Sequence, residues 1–299
     1  MYKKILIPLD GSTVSQQVLP YARLMARQLN LTVELLEVVD VVGLCAAVAA
    51  CNKGSVDSLI AETMRGSAAF LERISKTFSG GEVSCAVVQG RAGEVIIEKA
   101  AADSGTLIAM ATHGRSGIDR WLLGSVVEKV VRGTTNPLLL VRAGEHEAQD
   151  GEAILKTMIV PLDGSPLAEK ALPHAALWAK SMNVEMILFR AYRMSPVVIA
   201  SDQYIPDWDQ LEAAFKRDTT GYLAEKASEL KKEGVAHISP MVAQGEAAEK
   251  IIDLAQQTAH HMVVICSHGR SGVKRWVLGS VAERVVRHSV GPVLVIRSG

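Results

Sequence analysis

Residues 5–9 form a short, nearly continuous apolar run, the pattern of a strand covered on both faces. From 14 to 29 the apolar positions fall at Val18, Tyr21, Ala22, Met25 and Leu29, and this spacing predicts a helix. The alternation continues: apolar runs at 31–39, 83–88, 107–111 and 138–141 predict strands, and segments 57–78, 93–102 and 125–132 predict helices. Beyond residue 153 the order returns, with strands at 157–162, 184–191, 238–242, 262–266 and 293–296. The helices of this second half are predicted at 167–182, 208–233, 247–259 and 280–288. Strand and helix in turn, five strands deep and twice over, predict an α/β chain of two tandem doubly wound parallel sheets.

The letters repeat as well as the pattern. ILIPLDGS at 5–12 returns as MIVPLDGS at 158–165, and TNPLLLVR at 135–142 as VGPVLVIR at 290–297. HGRSGIDRWLLGS at 113–125 returns as HGRSGVKRWVLGS at 268–280, with ten of thirteen positions identical. The offset moves only from 153 to 155 residues across these blocks, so the chain holds two full copies in one order. A period near 150 residues marks a duplicated domain, since solenoid repeats run about 20–50 residues. The division expected is 1–143 and 154–299, joined by a polar, aperiodic linker at 144–153.

Composition narrows the class. Hydrophobic residues make up 48% and aromatic residues only 4%, so the cores are aliphatic. The net charge is zero, which argues against a nucleic-acid or anionic-membrane partner. Cys45, Cys51, Cys85 and Cys266 show no metal-ligand spacing and read as free thiols of a reducing cytoplasm. The longest apolar stretch, 38–51, contains Asp40 and falls short of the roughly 20 residues that span a bilayer. The start of the chain turns polar too early for a signal peptide, and a soluble cytoplasmic protein is expected.

Ligands of open α/β sheets bind beyond the carboxyl ends of the strands. Asp10 and Asp163 fall there, after the first strand of each copy. So do Gly124-Ser125 and Gly279-Ser280, which open a helix. Unpaired N–H groups at a helix start suit a phosphate, glycine lets it come close, and serine adds a hydroxyl donor. Asp10 and Asp163 can accept hydrogen bonds from a ribose or an adenine amine. The plainer alternatives are a helix cap for Gly-Ser and a tight turn for Asp-Gly-Ser. No phosphate-binding GxxxxGK[ST] loop and no GxGxxG after the first strand occur.

These blocks resemble the universal stress protein family, in tandem form and over almost the whole chain. The resemblance implies a five-stranded, Rossmann-like sheet of the adenine nucleotide alpha hydrolase type in each domain. The family's nucleotide motif is G-x2-G-x9-G-[ST]. Gly114 and Gly269 are each followed by nine residues and then Gly124-Ser125 or Gly279-Ser280. The first motif glycine is replaced by Ala111 in one copy and by the larger Cys266 in the other, so ATP binding is better supported in the first domain. By resemblance, Asp10 and Asp163 meet the ribose or adenine, and Pro8 and Val38, with Pro161 and Ala191, line the base pocket. Met110 and Ala111, with Ile265 and Cys266, offer backbone near the sugar. Gly114, Gly124, Ser125 and Val126, with Gly269, Gly279, Ser280 and Val281, surround the phosphates. Arg115 and Arg270 either screen phosphate charge or are solvated loop arginines.

His113 and His268 read as structural loop residues, and Trp121 and Trp276 as packing that pins the loop. Segments 41–51 and 193–209 differ most between the copies and read as lids or as variable loops. The resemblance implies an intrachain pair formed through the terminal strands, with further homodimerisation and unidentified protein partners open. The function expected is that of a regulatory adenine-nucleotide protein holding ATP, with or without Mg²⁺, and at most slow hydrolysis. Protein-side metal ligands are not expected. The rival readings are a nucleotide-free interaction scaffold and a phosphotransferase or nucleotidyl transferase, the last weakened by the missing lysine and metal-binding carboxylates.

Overall fold

The computed structural model describes residues 1–42, 45, 56–113, 123–142, 153–193, 208–269 and 278–297. The chain divides into two compact units, with the boundary between Ile154 and Leu155. Most of the expected linker, residues 144–152, lies outside the described residues.

The first unit carries strands β1 (Lys4–Leu9), β2 (Thr32–Val39), β3 (Val83–Gln89), β4 (Thr106–Ala111) and β5 (Leu138–Val141). They lie in the order β3-β2-β1-β4-β5, and the pairs are parallel. Helices α1 (Leu19–Leu29), α2 (Val56–Ser75), α3 (Ala92–Ala101) and α4 (Ser125–Gly133) cross between them. The second unit repeats this with β6 (Thr157–Pro161), β7 (Glu185–Tyr192), β8 (Ile238–Gln244), β9 (His261–Cys266) and β10 (Val293–Ile296), in the order β8-β7-β6-β9-β10. Its pairs are parallel too. Its helices are α5 (Pro166–Glu169), α6 (Ala171–Met182), α7 (Trp208–Lys232), α8 (Ala247–Gln257) and α9 (Ser280–His288).

The central strands explain the apolar runs. Ile5, Leu6 and Ile7 are completely buried, and every residue of β4 and β9 is buried. The outer strands β3 and β8 are much less covered: no residue of β3 is buried, and in β8 only Ile238 is. Strand order reverses between β1 and β4, and likewise between β6 and β9, because the chain first builds toward β3 or β8 and then returns. That reversal opens a crevice at the carboxyl edge of each sheet.

Two helix expectations need correction. Segment 14–29 starts as a 3₁₀ turn at Ser15–Val18 before α1, and 167–182 breaks at Lys170 into α5 and α6. Pro20 and Pro173 sit at the second and third positions of α1 and α6. A proline has no N–H and its ring collides with the carbonyl four residues earlier, so each one interrupts the i→i−4 ladder at the point where the helix breaks.

Candidate nucleotide site

The turn after β1 makes its own geometry. Gly11 adopts φ 80° and Gly164 φ 83°, a left-handed conformation that glycine enters without steric cost. Asp10 Oδ1 accepts from the Ser12 amide at 3.0 Å and the Ser12 hydroxyl at 2.6 Å. Asp163 Oδ1 accepts from Ser165 in the same way, at 2.9 and 2.6 Å. Both aspartates are thus held in place by the turn that follows them, and both line a cavity.

The start of α4 is fixed from β4. The Thr112 amide donates to the Val141 carbonyl at 2.9 Å, and the Thr112 carbonyl accepts from the Gly124 amide at 2.9 Å. Ser267 does the same between Ile296 at 2.7 Å and Gly279 at 2.8 Å. Both helices begin on a glycine, which has no side chain to cap the N–H groups of their first turns. Gly124 has φ −59°, open to any residue, and among the described residues a Cβ there would meet the Thr112 carbonyl at 3.4 Å and His113 Cα at 3.7 Å. Backbone strain does not require glycine at 124, and among the described residues neither does packing.

In the first unit, Pro8, Asp10, Val38, Met110, Ala111, Gly124, Ser125 and Val126 line one cavity of about 220 Å³. In the second, Pro161, Asp163, Ala191, Ile265, Cys266, Gly269, Gly279, Ser280 and Val281 line one of about 260 Å³. Gly114, Arg115, Arg270, Trp121 and Trp276 lie outside the described residues, as do Cys51 and nearly all of the two suggested lid segments. Leu36 and Phe189 also line the cavities and were not singled out in the sequence. Strand alternation carries that signal, because each stands two residues before Val38 or Ala191 and so shares its face. Ile96 and Ile251, facing the cavities from α3 and α8, were missed as well.

Both cavities fall below the roughly 300–1,000 Å³ of a typical enclosed small-molecule site. A Cβ at Gly269 would land on the Asp163 carboxylate, so the glycine and the aspartate meet across the second cavity. Cys266 is 4% exposed, and burial pushes its thiol up, only partly offset by the amides of His268 and Ser267 and by the charges of Lys170 and Arg297. Its sulfur stays a neutral thiol at neutral pH. His113 Nδ1 pairs with the Thr112 hydroxyl and His268 Nδ1 with the Ser267 hydroxyl, both at 3.1 Å. Among the described residues, no group of three or more His, Cys, Asp or Glu could hold a metal ion, and no helix is long and apolar enough to cross a membrane.

A family model described as the universal stress protein family matches residues 1–142 and 155–297. A universal stress protein of Methanocaldococcus jannaschii is 30% identical over 149 residues, covering 50% of this chain and 86% of that protein. One from Bacillus subtilis is 32% identical over 145 residues, covering 47% of this chain and 97% of that protein. The crystal structure of a universal stress protein from Archaeoglobus fulgidus superposes with a TM-score of 0.65 at 21% identity, covering 99% of this chain and 98% of that one. This last likeness bears on the fold.

Proposed function

The chain belongs to the universal stress protein family, and from that premise we propose that each unit binds an adenine nucleotide, with occupancy rather than turnover as its output. The observation that carries this reading is the helix start without a side-chain cap at the cavity mouth, in both units and beyond the same two strands. Gly124 and Ser125, with Gly279 and Ser280, would take the phosphates on backbone amides and one hydroxyl. Asp10 and Asp163, already oriented by their turns, would accept from the sugar or base. Pro8 with Val38, and Pro161 with Ala191, would flank the base. ATP is the nucleotide proposed, with Mg²⁺ held by its phosphates; when bound, the metal would neutralise phosphate charge.

The test is a calorimetric titration of the full chain with Mg-ATP, beside the variant Gly124→Ala/Ser125→Ala. Among the described residues a Cβ at 124 makes only ordinary contacts, so with melting temperature unchanged a loss reports on the ligand. Hydrogen bonds to a charged group are worth about 1.5–3 kcal/mol, so first-site affinity should fall roughly ten- to a hundredfold. An unchanged affinity would remove the phosphate assignment. The second reading is a nucleotide-free scaffold, favoured by how fully the Asp-Gly-Ser turns satisfy themselves. It predicts no heat of binding in either protein.

A further inference from the structure

Behind the Asp163 turn, the second unit carries a polar stack of residues that the first does not have at the matching positions. Arg190 stands between Phe189 and Ala191, which both line the cavity, so its side chain leaves β7 on the opposite face. Its guanidinium lies against Gly164, with both terminal nitrogens 3.2 Å from the place a Cβ would take. Its central carbon is 4.9 Å from the centre of the Tyr222 ring. Tyr222 Oη donates to Glu169 Oε1 at 2.8 Å, and Lys226, one turn along α7, reaches Glu169 Oε2 at 3.1 Å. Burial first, then the Glu169 carboxylate, pushes the Tyr222 hydroxyl well above the usual phenol range, so it stays protonated and donating. Helix α7 thus reaches the segment around Asp163 at two points, through Arg190 behind Gly164 and through Glu169 in α5.

The first unit has different residues at each matching place. Pro8 pairs with Leu36 and Pro161 with Phe189, so Glu37 corresponds to Arg190. The buried faces Ser67-Leu71-Ile74 and Leu223-Ala227-Leu230 align, so Gly66 corresponds to Tyr222 and Phe70 to Lys226. Among the described residues, nothing stands within 4 Å of where a Cβ on Gly66 would be. Gln16, at the place of Glu169, donates back to the Ser12 carbonyl at 3.1 Å instead.

We propose that Arg190, Tyr222, Glu169 and Lys226 are positioning residues that hold the Asp163 turn of the second site and tie it to helix α7, with a set of side chains that the first unit does not carry at the matching positions. The two sites are then mechanically distinct: a ligand on Asp163 is felt along α7 through this stack, and one on Asp10 meets Glu37, Gly66, Phe70 and Gln16 at the matching positions instead. Only this ligand half rests on the nucleotide reading.

The test is hydrogen exchange by mass spectrometry on the full chain, without ligand, in Arg190→Ala and Tyr222→Phe, followed by titration with Mg-ATP. The second variant keeps the ring over Arg190 and removes only the hydroxyl, so it reports even where the first folds poorly. The peptide covering 163–170 should exchange about three- to thirtyfold faster in Arg190→Ala, the range of a part-buried cation–π contact. Tyr222→Phe should give a smaller gain, and the peptide covering 10–17 should be unchanged in both. Second-site affinity for ATP should fall by a similar factor, with first-site affinity kept. Wild-type exchange at 163–170 in both variants overturns the proposal, and so does faster exchange with second-site affinity unchanged. Faster exchange in a protein that binds no ATP at all upholds the positioning role and overturns the nucleotide reading instead.

Discussion

Ala111 and Cys266 occupy the same place in the two copies, and that one exchange makes the cavities chemically unequal. Each is 4% exposed and lines its cavity where the family motif has its first glycine. Ala111→Cys should lower first-site ATP affinity by about tenfold, since an extra buried atom in a fitted cavity costs roughly 1–3 kcal/mol. Cys266→Ala should raise second-site affinity by a similar factor. Calorimetry on the two single variants checks both, and equal affinities would show that the ligand lies clear of this wall. At this scale the sequence was informative where residues sit in matching motifs: every candidate within the described residues lines a cavity. Arg190 and Tyr222 were not legible. Their meaning depends on strand register and on which face of α7 is buried, and neither has a sequence motif.

The element boundaries were legible wherever burial is one-sided or complete, and misread where proline overrides periodicity, as at Pro20 and Pro173. Periodicity records which face is buried; it is blind to a missing N–H. A second difference between the copies lies beneath the terminal strands. In the first unit the Asn136 side chain donates to the Asp103 and Thr106 carbonyls, both at 3.1 Å. In the second, Gly291 takes the place of Asn136 and His261 that of Thr106. The ring fills the gap so closely that a Cβ on Gly291 would stand 2.6 Å from its Nε2. His261 is 6% exposed, and burial lowers its pKa from 6.5, partly countered by its bond to the Thr258 carbonyl at 2.6 Å. With the folded value below the unfolded one, the unfolded chain binds the proton first, so stability is lost as pH falls below 6.5. A loss near 1 kcal/mol would lower the melting temperature by about 2–4 °C for a domain of this size. Melting from pH 7.5 to 5 should show the fall, and His261→Asn should flatten it. An equal fall in the variant would assign the effect to other groups.

At the scale of the molecule, duplication supplies two copies of one fold and divergence makes two sites. The motif spacing, the Asp-Gly-Ser turn and the helix start without a side-chain cap are common to both. The cavity wall and the support behind the aspartate are not. The fold was readable from the repeat because strand and helix patterns depend on local burial. The difference between the sites was only half readable, because it rests on contacts between segments some 30–60 residues apart, such as Arg190 with Tyr222 and Tyr222 with Glu169. The most direct measurement of the central claim is native mass spectrometry of the full chain with Mg-ATP, together with identification of any nucleotide released on denaturing the purified protein. The account predicts bound adenine nucleotide, with the first site filling before the second and one nucleotide lost in Gly124→Ala/Ser125→Ala. No bound or released nucleotide at millimolar ATP would contradict it.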